Sequence, residues 1–127
     1  MSHDEKACVL IVGNDVAVLD SLKFFLQLQG FDVRTYSNEA GLLATTDWPF
    51  PGCLLIEQNL PKISGLHLLS ALRDRGVSLP AILITSTPTA ELEQRATDAG
   101  VLQVLGKPLA HDLLLQILRH TLQQPGS

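Results

Sequence analysis

The feature that most constrains the fold of this chain is a succession of five short apolar runs separated by segments with helical periodicity. Most of the runs are apolar throughout, as expected for strands of a parallel sheet that is covered on both faces. Residues 32–36 alternate instead and predict an edge strand. Successive βα units of this kind imply an α/β fold with right-handed crossovers. The runs occupy residues 7–12, 32–36, 53–57, 81–86 and 102–105.

The segments between the runs carry signals for where each helix begins and ends. In the first segment, residues 16–29, Asp15 is the expected N-cap and Gly30 the expected stop. The apolar stripe of this helix is predicted to consist of Val18, Leu22, Phe25 and Leu26. The remaining helices are predicted over residues 38–45, 64–76, 87–100 and 110–123.

Three of these later helices begin at residues that suit an N-cap. Ser37, Ser64 and Thr87 are the expected caps, and Pro88 then falls in the first helical turn. Glycines at the ends of the third and fourth helices are the expected stops. The inward face of the fourth helix is predicted to consist of Leu92, Ala96 and Ala99.

Length and composition indicate one globular domain spanning residues 1–127, with residues 124–127 as a tail or the start of a linker. The chain has 127 residues, of which 46% are apolar and 17% charged. Its formal net charge is −4 and its basic residues are not clustered, which argues against a nucleic-acid-binding surface. There is no apolar run long enough to span a bilayer and no signal peptide, so we expect a cytoplasmic protein without a membrane partner.

The cysteines and histidines do not have the spacing of a metal or redox site. Cys8 and Cys53 lie in strand-like runs and are expected to be reduced, buried thiols. The histidines lack the i, i+3 or i, i+4 spacing that places two imidazoles on one helix face. They are His3, His67, His111 and His120.

Polar residues follow several of the predicted strands at the point where each strand ends. Glu57 ends the third run, Thr85 falls near the end of the fourth and Lys107 follows the fifth. In an open α/β sheet, ligands bind outside the carboxyl ends of the strands. We therefore expect a carboxylate, a hydroxyl and an ammonium to share one site.

These residues carry a resemblance to a known family. Residues 56–69 (IEQNLPKISGLHLL), the hydroxyl of Thr85 and the Lys107–Pro108 pair resemble the receiver domains of bacterial two-component response regulators. Residues 30–38 and 51–57 look closest to the branch whose members carry a helix-turn-helix output domain, as in nitrogen-fixation regulators. The resemblance covers nearly the whole chain. It implies a flavodoxin-like (βα)5 fold, doubly wound, with a five-stranded parallel sheet of order 2-1-3-4-5.

The resemblance also implies a site chemistry from which this sequence departs. Family members phosphorylate an aspartate with the help of Mg²⁺, which an acidic pair, that aspartate and a backbone carbonyl hold. Glu57 occupies the phosphoacceptor position, and Gly13 and Asn14 replace the acidic pair. Asp15 is acidic but one residue late, where it suits helix capping. The aromatic switch position is Val104, whereas Asn59 retains the position of the carbonyl.

The retained residues, by the same resemblance, are Thr85 and Lys107, which hold phosphoryl oxygens, and Pro108, whose preceding peptide is cis in the family. With two carboxylates missing, we expect no Mg²⁺ site, no cofactor and no enzymatic activity. Glu57 is then either a structural ion-pair partner of Lys107 in an inert scaffold or a permanent imitation of the phosphorylated state. A receiver with residual Mg²⁺-dependent phosphorylation is the remaining alternative.

Signalling would then depend on contacts with other proteins. The resemblance implies a sensor histidine kinase or another response regulator as partner, or a homodimer through the fourth helix, fifth strand and fifth helix. An apolar centre with a charged rim in that region suits an interface, although extra core leucines would give the same pattern. A further alternative is the N-terminal module of a DNA-binding transcriptional regulator. The interface candidates are Leu92, Arg95, Val104, Leu109, Leu113 and Leu115.

Overall fold

The apolar runs form the strands of one parallel sheet in a computed structural model of the protein, which describes residues 6–122. His3 and the predicted tail, residues 124–127, lie outside the described residues. The strands are β1 (Cys8–Val12), β2 (Asp32–Tyr36), β3 (Gly52–Glu57), β4 (Ala81–Thr85) and β5 (Gln103–Gly106). The helices are α1 (Val16–Leu28), α2 (Glu39–Leu43), α3 (Gly65–Asp74), α4 (Ala90–Asp98) and α5 (His111–Leu122).

The sheet has the order β2-β1-β3-β4-β5, and every neighbouring pair of strands is parallel. This confirms the predicted flavodoxin-like fold and the edge position of β2. Helices α2, α3 and α4 pack on one face of the sheet, and α1 and α5 pack on the other. Each face of the sheet has one cluster of buried apolar residues beneath its helices. The two clusters are expected because β1, β3 and β4 are buried along their whole length.

Both cysteines are buried and free, as the sequence predicts. Cys8 belongs to the cluster under α3 and Cys53 to the cluster under α1, so the thiols lie on opposite faces of the sheet. Burial raises the pKa of the Cys53 thiol to about 12 and also raises the pKa of Cys8. Desolvation disfavours the thiolate, the nucleophilic form, in both places.

Two predicted N-caps are confirmed and two are wrong. Asp15 caps α1 and Ser64 caps α3, each by accepting hydrogen bonds from backbone N–H groups of the first turn. The cap of α2 is Asn38, one residue after the predicted Ser37. The cap of α4 is Thr89, which leaves Pro88 outside the helix rather than in its first turn.

The buried stripe of α1 also differs from the prediction. Leu19, Leu22 and Leu26 are buried, whereas Val18 is 44% exposed. Leu19, Leu22 and Leu26 are spaced by three and four residues, so they lie on one face of the helix. In α4, Ala99 is exposed and is the C-cap residue, so only Leu92 and Ala96 of the predicted inward face are buried.

Three helices are followed by a glycine in the left-handed region. Gly30, Gly76 and Gly100 follow α1, α3 and α4 with φ angles of 97°, 87° and 85°, as expected for left-handed residues that end a helix. Within residues 6–122, no helix combines the length and apolar character needed to cross a membrane.

Candidate functional site

Parallel pairing brings the predicted site residues to one edge of the sheet. Glu57 is the last residue of β3 and pairs in register with Ile84 of β4. Thr85 ends β4 and pairs with Gly106 of β5, directly before Lys107. The loop after β1 reaches the same edge, because β1 and β3 run side by side in the same direction.

The centre of the site is an ion pair between Glu57 and Lys107. Lys107 Nζ lies 2.7 Å from Glu57 Oε1, and the two side chains are 33% and 11% exposed, respectively. A carboxylate so far removed from water needs a partner, and a short charge-assisted hydrogen bond supplies one. The peptide between Lys107 and Pro108 is cis, as the resemblance implies. The pair neutralises the charge at the end of β3.

Gly13 leaves space beside this ion pair. A Cβ atom at position 13 would lie 3.8 Å from Glu57 Cβ and 3.9 Å from Glu57 Oε1, which are ordinary contact distances. A Cβ atom therefore fits here, and the carboxylate of an aspartate at this position would lie close to that of Glu57. Two carboxylates this close repel each other unless a cation lies between them. Glycine avoids that repulsion.

Asp15 is bonded to the helix that it precedes. Its Oδ1 accepts hydrogen bonds from the backbone N–H groups of Ala17 at 3.1 Å and Val18 at 3.3 Å. The side chain thus serves as the N-cap that the sequence predicts. Asn14, which precedes it, is exposed.

Thr85 makes hydrogen bonds away from the ion pair. Its hydroxyl donates to Asn59 Oδ1 at 3.3 Å and accepts from the backbone N–H of Thr87 at 3.1 Å. The residue is fully buried. The structure therefore brings Glu57 to Lys107 but leaves the hydroxyl of Thr85 bonded to its own turn and to the loop after β3.

The loop after β3 is held in place by contacts that the sequence analysis missed. Gln58 Oε1 accepts from the backbone N–H of Leu66 at 2.9 Å, and the carbonyl of Gln58 accepts from Gly65 at 2.9 Å. A Cβ atom at position 65 would lie 2.5 Å from the carbonyl oxygen of Glu57. Only glycine permits this approach, and a glycine directly after a serine N-cap is the sequence signal that could have indicated it.

The side chains at this edge differ from the set that the family resemblance associates with Mg²⁺. The ion requires several hard oxygen ligands in near-octahedral geometry. Gly13 has no ligand atom, Asp15 is bonded to α1, and the carboxylate of Glu57 is bonded to Lys107. Among residues 6–122, no group of three or more Asp, Glu, His or Cys side chains could hold a metal ion.

A cavity of about 450 Å³ opens between the first half of α1 and the segment that joins β5 to α5, with the ion pair in its wall. Its lining is mostly aliphatic and includes Val18, Leu19, Leu22, Ile84 and Leu109. The polar lining residues are Asp15, Ser21, Glu57, Lys107 and His111. The sequence analysis placed polar groups here but missed the cavity, because cavity volume depends on how the helices pack.

The predicted interface residues do not form one exposed patch. Leu92 is buried in the core and so cannot contact a partner. Val104, Leu109 and Leu115 are half-buried and pack against the two core clusters. Leu113, at 46%, and Arg95 are exposed. Of the six predicted interface residues, only Leu113 and Arg95 are therefore exposed.

Comparison with known proteins is consistent with this geometry. The family described as the response regulator receiver domain matches residues 9–119. The transcriptional regulatory protein TdiR of Thauera aromatica is 30% identical over 114 residues, which are 90% of this chain and 50% of that protein. The transcriptional regulatory protein FixJ of Rhizobium meliloti is 28% identical over 110 residues, which are 87% of this chain and 54% of that protein.

The fold of this chain also matches that of a solved receiver domain. The receiver domain protein (CheY-like) from Methanospirillum hungatei JF-1 superposes with a TM-score of 0.82 at 28% identity, over 93% of this chain and 94% of that one. The present chain spans about half the length of the curated relatives TdiR and FixJ. The family match covers residues 9–119, most of the chain, so this chain belongs to the response regulator receiver domains.

Proposed function

We propose that this receiver domain signals without being phosphorylated and acts through contacts with other proteins. The observation that carries the proposal is the 2.7 Å contact between Glu57 and Lys107, which pairs the carboxylate of the site with its ammonium. The proposal places the domain in two-component signalling in the cytoplasm, with no catalytic role of its own.

The charges at the site support this proposal. Phosphoryl transfer depends on positioned cations that neutralise the charge developing on the transferred group. The carboxylate of Asp15, which lines the same cavity as the ion pair, caps α1, and Gly13 contributes no ligand. We propose that Mg²⁺ does not bind here and that Glu57 remains unmodified.

Two roles for Glu57 follow from the same contact. A permanent imitation of the phosphorylated state would need the carboxylate to engage both Lys107 and Thr85, whereas the hydroxyl of Thr85 bonds Asn59 and Thr87. This favours the structural ion pair. The variant Glu57→Gln separates the two roles once a pull-down has identified a kinase or regulator that binds this domain. An unchanged affinity for that partner supports the ion pair, and a changed affinity supports the imitation.

The test of the proposal is incubation of the protein with Mg²⁺ and acetyl phosphate, followed by intact mass measurement. We expect the mass to stay that of the unmodified chain. A mass increase of one phosphoryl group in most molecules would contradict the proposal. A receiver domain that retains the aspartate and the acidic pair is the positive control, since it shows that the phosphodonor is active.

A second candidate follows from the lengths and names of the relatives. TdiR and FixJ are called transcriptional regulatory proteins, and this chain covers about half of each. We propose as the alternative that this receiver is the regulatory module of a longer transcriptional regulator. The reading frame beyond Ser127 tests it: a helix-turn-helix sequence in frame supports the alternative, and a stop codon contradicts it.

A further inference from the structure

We propose that the cavity between α1 and the β5–α5 segment binds a small, uncharged, largely apolar molecule that carries a carbonyl or hydroxyl oxygen. This inference goes beyond the proposed function and does not depend on it, because occupancy of the cavity can be measured whether or not Glu57 is modified. It concerns a ligand-binding site rather than the phosphoryl chemistry of the family.

The size and lining of the cavity suit such a ligand. Its volume of about 450 Å³ falls within the range of small-molecule sites, which is roughly 300–1,000 Å³. Leu19 and Leu22 line it from α1, Ile84 from β4 and Leu109 from the segment before α5. Such sites are typically apolar, with a few convergent polar groups that fix the orientation of the ligand.

The charges around the cavity select an uncharged ligand. The carboxylate of Glu57 and the ammonium of Lys107 cancel at 2.7 Å, so they offer neither an anion nor a cation a net attraction. Asp15, which also lines the cavity, disfavours an anion, and it offers a cation little because its carboxylate already bonds the first turn of α1. An anionic or cationic ligand would lose hydration in an apolar cavity without full compensation.

Lys107 supplies the polar anchor for the ligand. An ammonium group has three N–H donors, and Glu57 is the only partner of Lys107 Nζ among residues 6–122. The side chain is one-third exposed and lines the cavity, so its remaining donors can reach a ligand oxygen. A carbonyl or hydroxyl oxygen is an acceptor that leaves the ion pair intact.

An aromatic contact keeps one wall of the cavity in place. His111, a lining residue, stacks on Phe25 with a distance of 4.6 Å between ring centroids and an interplanar angle of 29°. This contact joins the first residue of α5 to α1. The walls are therefore formed by packed elements of the fold, so that the site is largely preformed.

Titration of the isotope-labelled chain, followed by backbone amide signals in NMR spectra, tests the proposal with three probes of one shape. The probes are 2-acetylnaphthalene, 2-naphthoate and 2-naphthylmethylamine, which are uncharged, anionic and cationic. We expect the ketone to shift the signals of Leu22 and Leu109 saturably, with half-saturation below about 1 mM. We expect both charged probes to bind more weakly by about tenfold or more.

Two matched variants on α1 localise the binding. Val18 lines the cavity and is partly exposed, so Val18→Trp is expected to fill the space and weaken binding about tenfold or more. Val16 is also exposed but does not line the cavity, and Val16→Trp should leave affinity within about twofold. The double variant Glu57→Gln/Lys107→Met removes the anchor without leaving an unpaired carboxylate and should weaken ketone binding about tenfold.

The proposal is overturned by any of several results. These are the absence of saturable shifts with the ketone, tighter binding of either charged probe, equal binding by Val18→Trp and Val16→Trp, and undiminished binding by the double variant. None of these measurements uses a phosphodonor, so their failure is distinct from failure of the proposed function.

Discussion

Glu57 ends a strand whose other residues are apolar, and its role depends on residues that lie far away in the sequence. The pairing with Lys107 could be predicted, because both residues follow strands that end at the same edge of the sheet. The bonds of Thr85 to Asn59 and Thr87 could not, since a hydroxyl can rotate and the sequence contains several acceptors nearby.

The stability of the ion pair gives the first prediction. Lys107→Met leaves a mostly buried carboxylate without its partner, and we expect the free energy of unfolding to fall by about 2 kcal/mol, less than for a fully buried pair because Lys107 is one-third exposed. Urea denaturation at neutral pH measures this. The double variant Glu57→Gln/Lys107→Met removes both charges and should recover most of the loss. A double variant less stable than Lys107→Met alone would contradict this interpretation.

The buried thiol of Cys53 gives a pH prediction. Its pKa rises from the ordinary 9.0 to about 12 in the folded protein, so the unfolded chain loses this proton first as the pH increases. The stabilisation is therefore complete below pH 9.0 and is lost between 9.0 and about 12, with a slope of about 1.4 kcal/mol per pH unit. In urea denaturation at increasing pH, Cys53→Ala should show a smaller loss than the unmodified chain. Equal slopes would contradict the prediction.

At the scale of elements, the order of helices and strands was predictable and their ends were less so. Ser37 and Asn38 are both good N-cap residues, as are Thr87 and Thr89. The structure uses the later member of each pair, whose side chain reaches the N–H three residues on. Local sequence does not decide which of two such neighbours becomes the N-cap. The position of the cap depends on where the preceding strand and turn place the backbone.

Asp15 provides a prediction at this scale, because capping and metal binding make different demands on its side chain. Asp15→Ala removes the acceptor for two backbone N–H groups and should lower the free energy of unfolding by about 1 kcal/mol. Asp15→Asn keeps an acceptor oxygen and should stay within about 0.5 kcal/mol of the unmodified chain. Urea denaturation with and without Mg²⁺ measures both. Stabilisation by Mg²⁺ that Asp15→Asn abolishes would show a metal ligand instead.

At the scale of the whole molecule, the family and sheet order were predictable because the apolar runs and the motifs around Glu57 and Lys107 extend over the chain. The cavity and the burial of Leu92 in the core could not be predicted from the sequence. Both depend on how α1, α4 and α5 pack over the sheet, and a leucine-rich helix shows the same sequence pattern whether its extra leucines face the core or a partner.

Self-association through α4, β5 and α5 is the prediction that belongs to the molecular surface. If two copies pair through this face, Leu113→Asp should weaken the dimer about tenfold, since it places a charge where the exposed leucine would be covered. Phe24→Asp is the matched control, because Phe24 is also exposed but lies on α1. Sedimentation over a range of concentrations measures both. Equal weakening by the two variants would exclude this face.

We propose that this domain is not phosphorylated and that the missing carboxylates, rather than the fold, are the reason. The most direct measurement is intact mass after incubation with Mg²⁺ and acetyl phosphate, made on the unmodified chain, on Glu57→Asp and on the triple variant Gly13→Asp/Asn14→Asp/Glu57→Asp. A Cβ atom at position 13 makes only ordinary van der Waals contacts. We predict one added phosphoryl group in the triple variant and none in the other two. A phosphoryl group on the unmodified chain or on Glu57→Asp would contradict the account.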